Sequence, residues 1–435
     1  MQIPKNVECA PIASLIPAAN NPRTHSKKQI SQIAASIEEF GFTNPVLVDK
    51  DLNIIAGHGR VAAAKQLKMK EVPILRIEHM SETQRRAYII ADNQLALRAG
   101  WDEGILAIEL QALGDLNFDL ELTGFDMGDI DRIVGALGAD DEPDEAETLE
   151  PASGPAITQA GDVWQIGPHR LICGDALEPD TYDRLMDGAG ADMVFTDPPY
   201  NVKIDGHVSG LGKNKHREFA MASGEMSAGE FETFLRQAFT ELARVSRPGA
   251  IHYVCMDWRH TGEVIAAGQG VYTELKNICV WVKANGGMGS LYRSRHEFVF
   301  VYKAGKGAHS NNVELGKHGR YRTNVWEYAG ANSFGETRDE DLSMHPTVKP
   351  VDLVKDAILD CSKRGGVVLD AFAGSGTTLL AAHQAGRKGY GIEIDPAYCD
   401  VILTRLMKAG LDPVRIGSGE AFRDLHAAME ACHDG

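Results

Sequence analysis

Asp197-Pro198-Pro199-Tyr200 is the segment of this sequence best equipped for chemistry, and it directly follows the apolar run Met193-Val194-Phe195. In open α/β sheets ligands bind beyond the carboxyl ends of strands, the position such a segment would take. Two consecutive prolines stiffen the chain and remove two N–H donors, leaving carbonyl oxygens free to accept. A carboxylate, an unpaired carbonyl and an aromatic ring therefore meet in one short turn. That set suits a planar ring bearing an amino group: acceptors for its hydrogens and a face for stacking. The plainer alternative is a rigid turn capped by an aspartate.

A second constellation, Asp370-Ala371-Phe372-Ala373-Gly374-Ser375-Gly376-Thr377-Thr378, lies between a predicted strand and a predicted helix. Its glycines let the backbone turn tightly and approach a ligand. The next strand ends in Glu393-Ile394-Asp395, where a carboxylate can bind ribose hydroxyls. The third glycine of the dinucleotide fingerprint is absent, and no Gly-Lys-Ser/Thr triplet follows, which excludes a P-loop. A nucleoside cofactor without a pyrophosphate fits better.

The elements that must position these residues alternate. Predicted strands at 192–195, 251–254, 278–282, 297–301, 366–369 and 389–392 are interleaved with helices at 231–245, 353–359 and 377–385. Such alternation implies βαβ units, a mostly parallel sheet and helices on both faces. Ahead of it, Ser26 can cap a helix that Gly41 ends. Val46-Leu47-Val48 and Asn53-Ile54-Ile55-Ala56 read as a strand pair, and Gly57-His58-Gly59-Arg60 opens a helix. From about Ser81 to Gly138 the pattern is helical. The acidic run within 138–157 cannot help bury a core and reads as a linker between a part at 1–137 and a part at 158–435.

Net charge is −17 over 435 residues, which at first speaks against a nucleic-acid partner. The acids are concentrated, however: between Trp101 and Glu150 sixteen acids face a single base, Arg132, and the remainder is nearly neutral. No apolar run approaches a membrane span, and the start lacks a signal-peptide core, so the expected location is the cytoplasm. The seven cysteines show no Cys-x-x-Cys spacing, so neither a metal site nor a disulfide framework is expected.

Taken together, residues 161–409 resemble the amino-methylating DNA methyltransferases that use S-adenosyl-L-methionine. The order, with Asp197–Tyr200 ahead of the glycine loop, is the circularly permuted order of their β group. His345-Pro346-Thr347-Val348-Lys349-Pro350, Cys173-Gly174-Asp175-Ala176-Leu177 and Trp281-Val282-Lys283 with Tyr292-Arg293-Ser294-Arg295-His296-Glu297 match further family segments. The resemblance implies a Rossmann-like sheet with Asp197, Pro198, Pro199 and Tyr200 as the catalytic set. It implies cofactor contacts from Asp175, Lys349, Asp370, Phe372, Gly374, Ser375, Gly376, Thr377, Glu393 and Asp395. The expected substrate is double-stranded DNA with the target base flipped out, adenine favoured by Asp rather than Ser before the prolines, and cytosine N4 the alternative. Carbon-5 methylation would need a cysteine after a proline, and none is present. The family's β members often dimerise, so a homodimer is an expectation.

Two basic segments carry DNA-binding candidates, Lys213, Lys215 and Arg217 in one and Arg320 and Arg322 in the other; solvated loops are the alternative. Residues 7–100 resemble the ParB/sulfiredoxin-like nucleotide-binding domain through Asn20-Asn21-Pro22-Arg23, Pro45–Val48, Ile55–Arg60 and Ala91-Asp92-Asn93-Gln94. The resemblance implies a smaller α+β fold and a nucleotide phosphate seat at Gly57, His58, Gly59 and Arg60, with Asn93 as a second contact. A structural turn with an ion-paired Arg60 is the alternative there. Sulfiredoxin chemistry is excluded because the motif holds no cysteine. The acidic stretch 101–140, where a partition protein would carry DNA-reading helices, speaks against sequence reading by this part. A reading of another class, a non-catalytic nucleotide-switched DNA-binding protein, is opposed by the intact Asp197–Tyr200 and Gly374–Thr378 segments.

Overall fold

The computed structural model describes residues 6–18, 21–96, 100–116, 118–135, 155–201, 224–283, 291–313, 315, 322–328 and 349–433. Its contacts divide the chain into two units, residues 1–138 and 139–435.

In the first unit, β1 (Val7–Pro11) precedes α1 (Lys27–Phe40), β2 (Val46–Val48), β3 (Ile54–Ala56), α2 (His58–Gln66) and β4 (Glu71–Arg76). The sheet order is β1-β4-β2-β3, with β2 and β4 parallel and the other pairs antiparallel. Ser26 accepts the Gln29 N–H to start α1 as expected, and Gly41, at φ 78°, ends it. Val46, Val48, Ile54, Val61, Val72 and Ile74 form the core. Three helices follow: α3 (Glu82–Ala96), α4 (Glu103–Asp115) and α5 (Met127–Gly135). Ala107, Leu110, Leu120, Ile130 and Ile133 make a separate small core between the last two.

The second unit contains β5 (Val163–Ile166), β6 (His169–Cys173), α6 (Pro179–Met186), β7 (Ala191–Thr196), α7 (Ala228–Arg244) and β8 (Ser246–Met256). Next come α8 (Thr261–Gly268), β9 (Glu274–Val282), β10 (His296–Lys303), β11 (Val325–Glu327) and α9 (Val351–Cys361). The chain ends with β12 (Val367–Asp370), α10 (Thr377–Gln384), β13 (Lys388–Glu393), α11 (Pro396–Lys408), β14 (Pro413–Arg415) and α12 (Phe422–His433). These strands form one sheet in the order β11-β9-β10-β8-β7-β12-β13-β6-β5-β14.

Pairing is parallel through the centre, from β8 across β7, β12 and β13 to β6. Towards the ends β8–β10, β10–β9, β6–β5 and β5–β14 are antiparallel and β11–β9 is parallel, so five of the nine pairings among the described strands are parallel, as expected. The expected two-faced layering holds. Met193 and Phe195 of β7 face a core shared with α9, α10 and α11, whereas Val194 faces one shared with α6, α7 and α8. A strand covered on both faces reads as a continuous apolar run, as β7 does.

The connections determine where a ligand can sit. From β7 the chain passes through α7 to β8 on one side, and from β12 through α10 to β13 on the other. Strand order therefore reverses between β7 and β12, and a crevice opens beyond their carboxyl ends.

Candidate active site

Both chemistry-bearing segments emerge at that crevice. Thr196, the last residue of β7, donates its hydroxyl to Asp370 Oδ1 at 2.9 Å, tying the two strand ends together just before Asp197. Asp370 also accepts from the Phe372 N–H at 3.0 Å and the Thr378 hydroxyl at 2.7 Å. Burial pushes its carboxyl up to about 6 against these hydrogen bonds. Asp370 thus braces the loop, each of its oxygens already accepting from the protein.

The glycine loop is shaped by sterics. Gly374 and Gly376 have φ of 52° and 82°, and a Cβ on Gly376 would lie 3.0 Å from Ile402. Buried Arg405 of α11 donates to the Ser375 carbonyl at 3.1 Å and the Thr377 hydroxyl at 3.2 Å, fixing the loop from behind. Phe372 packs against Phe234 of α7, ring centroids 5.9 Å apart.

Glu393, at the end of β13, accepts the Gly374 N–H at 2.7 Å and the Asp395 N–H at 2.9 Å. Burial raises its carboxyl to about 7 despite those bonds. The Gly174 N–H donates to the Glu393 carbonyl at 2.9 Å, so the turn carrying Asp175 abuts the same strand end. Asp175 accepts from the Leu177 N–H at 2.8 Å. Asp395 accepts from the Ala397 N–H at 2.9 Å and caps α11, a structural task that the sequence resemblance did not anticipate.

Asp197 lies in a buried charge cluster. Its Oδ2 is 2.6 Å from Lys349 Nζ, and its Oδ1 accepts the Tyr200 hydroxyl at 2.6 Å. Lys349 also reaches Glu297 Oε2 and the Tyr200 oxygen, each at 3.0 Å, and lies 5.4 Å from the centroid of the Tyr200 ring. Lys283 closes the cluster with an ion pair to Glu297 Oε1. Burial and the neighbouring Glu297 raise the Asp197 carboxyl against the pull of Lys349. The paired carboxylates hold the Lys349 ammonium well above the ordinary lysine range despite its burial. Lys349, expected among the cofactor contacts, is thereby placed on Asp197. Glu297 is not among the site residues that the resemblance implies, although its segment Arg295-His296-Glu297 matches a family segment.

Of the DNA-binding candidates, Lys213, Lys215, Arg217 and Arg320 fall outside the described residues, as do His345–Val348 and most of the 138–157 linker. Arg322 is described, and the structure turns it inward. It donates to Asp360 at 2.9 Å, Asp356 at 3.1 Å and the Tyr328 hydroxyl at 2.6 Å, and it stacks on Trp326. A guanidinium committed to two carboxylates does not serve as a phosphate clamp, so that expectation is corrected.

In the first unit each residue of the Gly57–Arg60 turn has an intramolecular task. Gly57 starts α2 at φ 104°, and His58 Nε2 accepts the Ala18 N–H at 3.2 Å. A Cβ on Gly59 would lie 3.0 Å from the His25 ring, and Arg60 donates to the carbonyls of Asn44 and Pro45 at 2.5 and 2.9 Å. Arg60 nevertheless borders a cavity of about 330 Å³ shared with Gln29, Gln32, Thr43, Asn44 and Gly124. Asn93 donates within its own helix, to Ile89 at 2.7 Å.

Three family models match successive stretches of the chain. A family model described as DNA methylase, of the N6/N4 amino-methyltransferase type, matches residues 191–404, and one described as ParB N-terminal domain matches 3–93. A third, described as ParB-methyltransferase HTH domain, matches 104–160, the stretch read from sequence as an acidic helical extension and linker. The ParB-like nuclease domain-containing protein YnaK of Escherichia coli (strain K12) is 49% identical over 76 residues, 18% of this chain and 87% of that protein. The type II methyltransferase M.HpaI of Haemophilus parainfluenzae is 25% identical over 253 residues, 54% of this chain and 74% of that protein. Among solved structures, the M1.HpyAVI–SAM complex shares 20% identity over 54% of this chain and 98% of its own, with a TM-score of 0.40. The chain belongs to the ParB N-terminal domain family in its first unit and, in its second, to the N6/N4 family of DNA methyltransferases, whose methyl donor is S-adenosyl-L-methionine.

Proposed function

We propose that the second unit methylates the exocyclic amine of a flipped base in double-stranded DNA, with adenine N6 as the target. The observation that carries this reading is the Thr196–Asp370 bond, which sets Asp197 beside the glycine loop at the reversal of strand order. The residues fit the cofactor: the loop is partly exposed at Gly374, where a Cβ would find room, and Glu393 stands at the adjoining strand end. Bound there, S-adenosyl-L-methionine supplies an electrophilic methyl group on a sulfonium.

An exocyclic amine on a base is a poor nucleophile because its lone pair is delocalised into the ring. Asp197 and the Pro198 carbonyl accept its hydrogens, which favours a pyramidal nitrogen with its lone pair free to attack. The contribution is positioning together with electrostatic stabilisation, with no covalent enzyme intermediate. Tyr200 offers a stacking face to a base that has left the duplex. Pro199 keeps the turn rigid. An aspartate ahead of the prolines supports adenine over cytosine N4. Transfer of tritium from labelled cofactor to DNA, followed by nucleoside analysis, distinguishes the two; label in N4-methylcytosine alone would reject adenine, and no label would reject the reading.

For the first unit we propose nucleotide binding beside Arg60. The support is the cavity that Arg60 borders, together with the free N–H groups and positive dipole end at the start of α2. Titration of the full chain with ATP, GTP and CTP, repeated on Arg60→Ala, tests this. Absence of binding at millimolar nucleotide, or binding indifferent to Arg60, leaves Gly57–Arg60 a structural turn.

A further inference from the structure

The cluster around Asp197 contains two carboxylates and two ammonium groups, and the proposed chemistry explains only one of the four. Glu297 lies on β10, directly opposite Trp281 of β9, and its side chain is 9% exposed. One of its oxygens holds Lys349 at 3.0 Å and the other pairs with Lys283. The Tyr200 hydroxyl, which donates to Asp197, also lies 3.2 Å from Glu297 Oε2. Lys349 is thus shared between two carboxylates, each also in reach of the tyrosine hydroxyl. Such an arrangement is costly to bury unless every charge is paired, and here every charge is.

We propose that Glu297 is a positioning residue that anchors Lys349 and sets the proton affinity of Asp197, making Asp197 the acceptor of the proton released during methylation. This rests on the reading of Asp197 as the group that meets the target amine. As the new N–CH3 bond forms, the S–CH3 bond of the sulfonium breaks and its electron pair stays on sulfur as a neutral thioether. The positive charge arrives on nitrogen. One N–H bond then breaks, its electrons restore the neutral amine, and its proton goes to Asp197, which becomes neutral.

The cluster divides these roles between the two acids. Burial alone would raise Glu297, yet Lys349 and Lys283 together pull it down to about 2, so it remains an anion throughout. Asp197 moves the opposite way, raised by burial and by the fixed charge of Glu297. When two neighbouring carboxyls are pushed apart in this manner, the raised one handles the proton. The other groups facing Asp197 are the Tyr200 hydroxyl, the Cys255 thiol of β8 and the Asp370 carboxyl of β12. Burial raises the tyrosine and the cysteine far above neutrality, so neither competes for the proton.

The test is the pH profile of single-turnover methyl transfer by the full chain at saturating cofactor and DNA. Transfer requires ionised Asp197, so its acid limb follows that carboxyl. Glu297→Gln removes a like charge and should move the limb to lower pH by about one unit; Lys349→Met removes the opposite charge and should move it to higher pH. Glu297→Asp keeps the charge and should return the limb towards the native position. Opposite shifts in the two variants are not what damaged packing produces. An unmoved limb in Glu297→Gln, or shifts of the same sign in both, would overturn the inference. Where Glu297→Gln does not fold, Lys349→Met decides: an upward shift supports the role and an unmoved limb rejects it. Asp197→Asn separates the two claims, because full activity in that variant would reject the underlying reading itself.

Discussion

A carboxylate assists an aromatic amine only from hydrogen-bond distance, and only when ionised, which makes single residues the natural scale for testing this site. Asp197→Ala should lower methyl transfer by about 100–1,000-fold, the usual loss for a preorganised charge-stabilising group, while cofactor affinity stays within a few-fold. Single-turnover rates and calorimetry measure both, and activity near wild type would reject the role. Glu393 gives a prediction about pH. Its carboxyl is raised to about 7, so it is protonated below that value and ionised above it. Ribose hydroxyls donate best to the anion; affinity for S-adenosyl-L-methionine should therefore weaken as pH falls from about 8 to about 6. Glu393→Gln should abolish that dependence and weaken binding by about 1.5–3 kcal/mol, as for a hydrogen bond to a charged group. A flat pH profile in the native chain would sink this. Asp197–Tyr200 was legible in the sequence because its chemistry is contiguous. The ion pair from Asp197 to Lys349 was not, since Lys349 lies 152 positions away and only the folded sheet brings it near.

At the scale of elements, the loop between β12 and α10 is where backbone geometry and function coincide. Gly376 holds φ at 82° and faces Ile402 of α11, where a methyl group would be crowded at 3.0 Å. Gly376→Ala combines a left-handed alanine, about 1–2 kcal/mol, with a close contact against buried side chains. The expected outcome is a lower denaturant midpoint with an unchanged slope, together with weaker cofactor binding. Unaltered stability and affinity would show that the loop tolerates another path. Strands such as β7 and β12 were legible because burial on both faces leaves uninterrupted apolar runs. Others were hidden by their polarity. In β6, His169 and Arg170 are buried; the imidazole accepts the Gly389 N–H at 2.9 Å and meets His383 at 3.2 Å, partners remote in sequence. In β4, Pro73 disguises a strand paired on both sides. β1 is exposed at four of its five positions and shows no alternation to read.

For the whole molecule, the question is what each unit contributes to methyl transfer. The proposed site draws on the turn after β6, the ends of β7, β12 and β13, Glu297 of β10 and Lys349 ahead of α9, all within residues 139–435. Both large apolar clusters of that unit are built from its own strands and helices. A unit with a self-contained core can fold alone. Deleting residues 1–137 should therefore leave single-turnover methyl transfer within a few-fold of the full chain. Charge supports the expectation: the deletion removes eighteen acids against fourteen bases, and residues 140–150, with seven acids and no base, stay in the fragment. Acidic chain near DNA raises the electrostatic cost of approach, and because that run is retained the truncated protein should keep its affinity for non-specific DNA within a few-fold at low salt. The measurements are single-turnover rates and DNA affinity across a salt series, on the full chain and on residues 138–435. A folded, cofactor-binding fragment with transfer lowered a hundredfold would show that the first unit takes part in catalysis. Non-specific binding tightened more than about tenfold at low salt would mean that the acids at positions 102–131 oppose the duplex in the full chain.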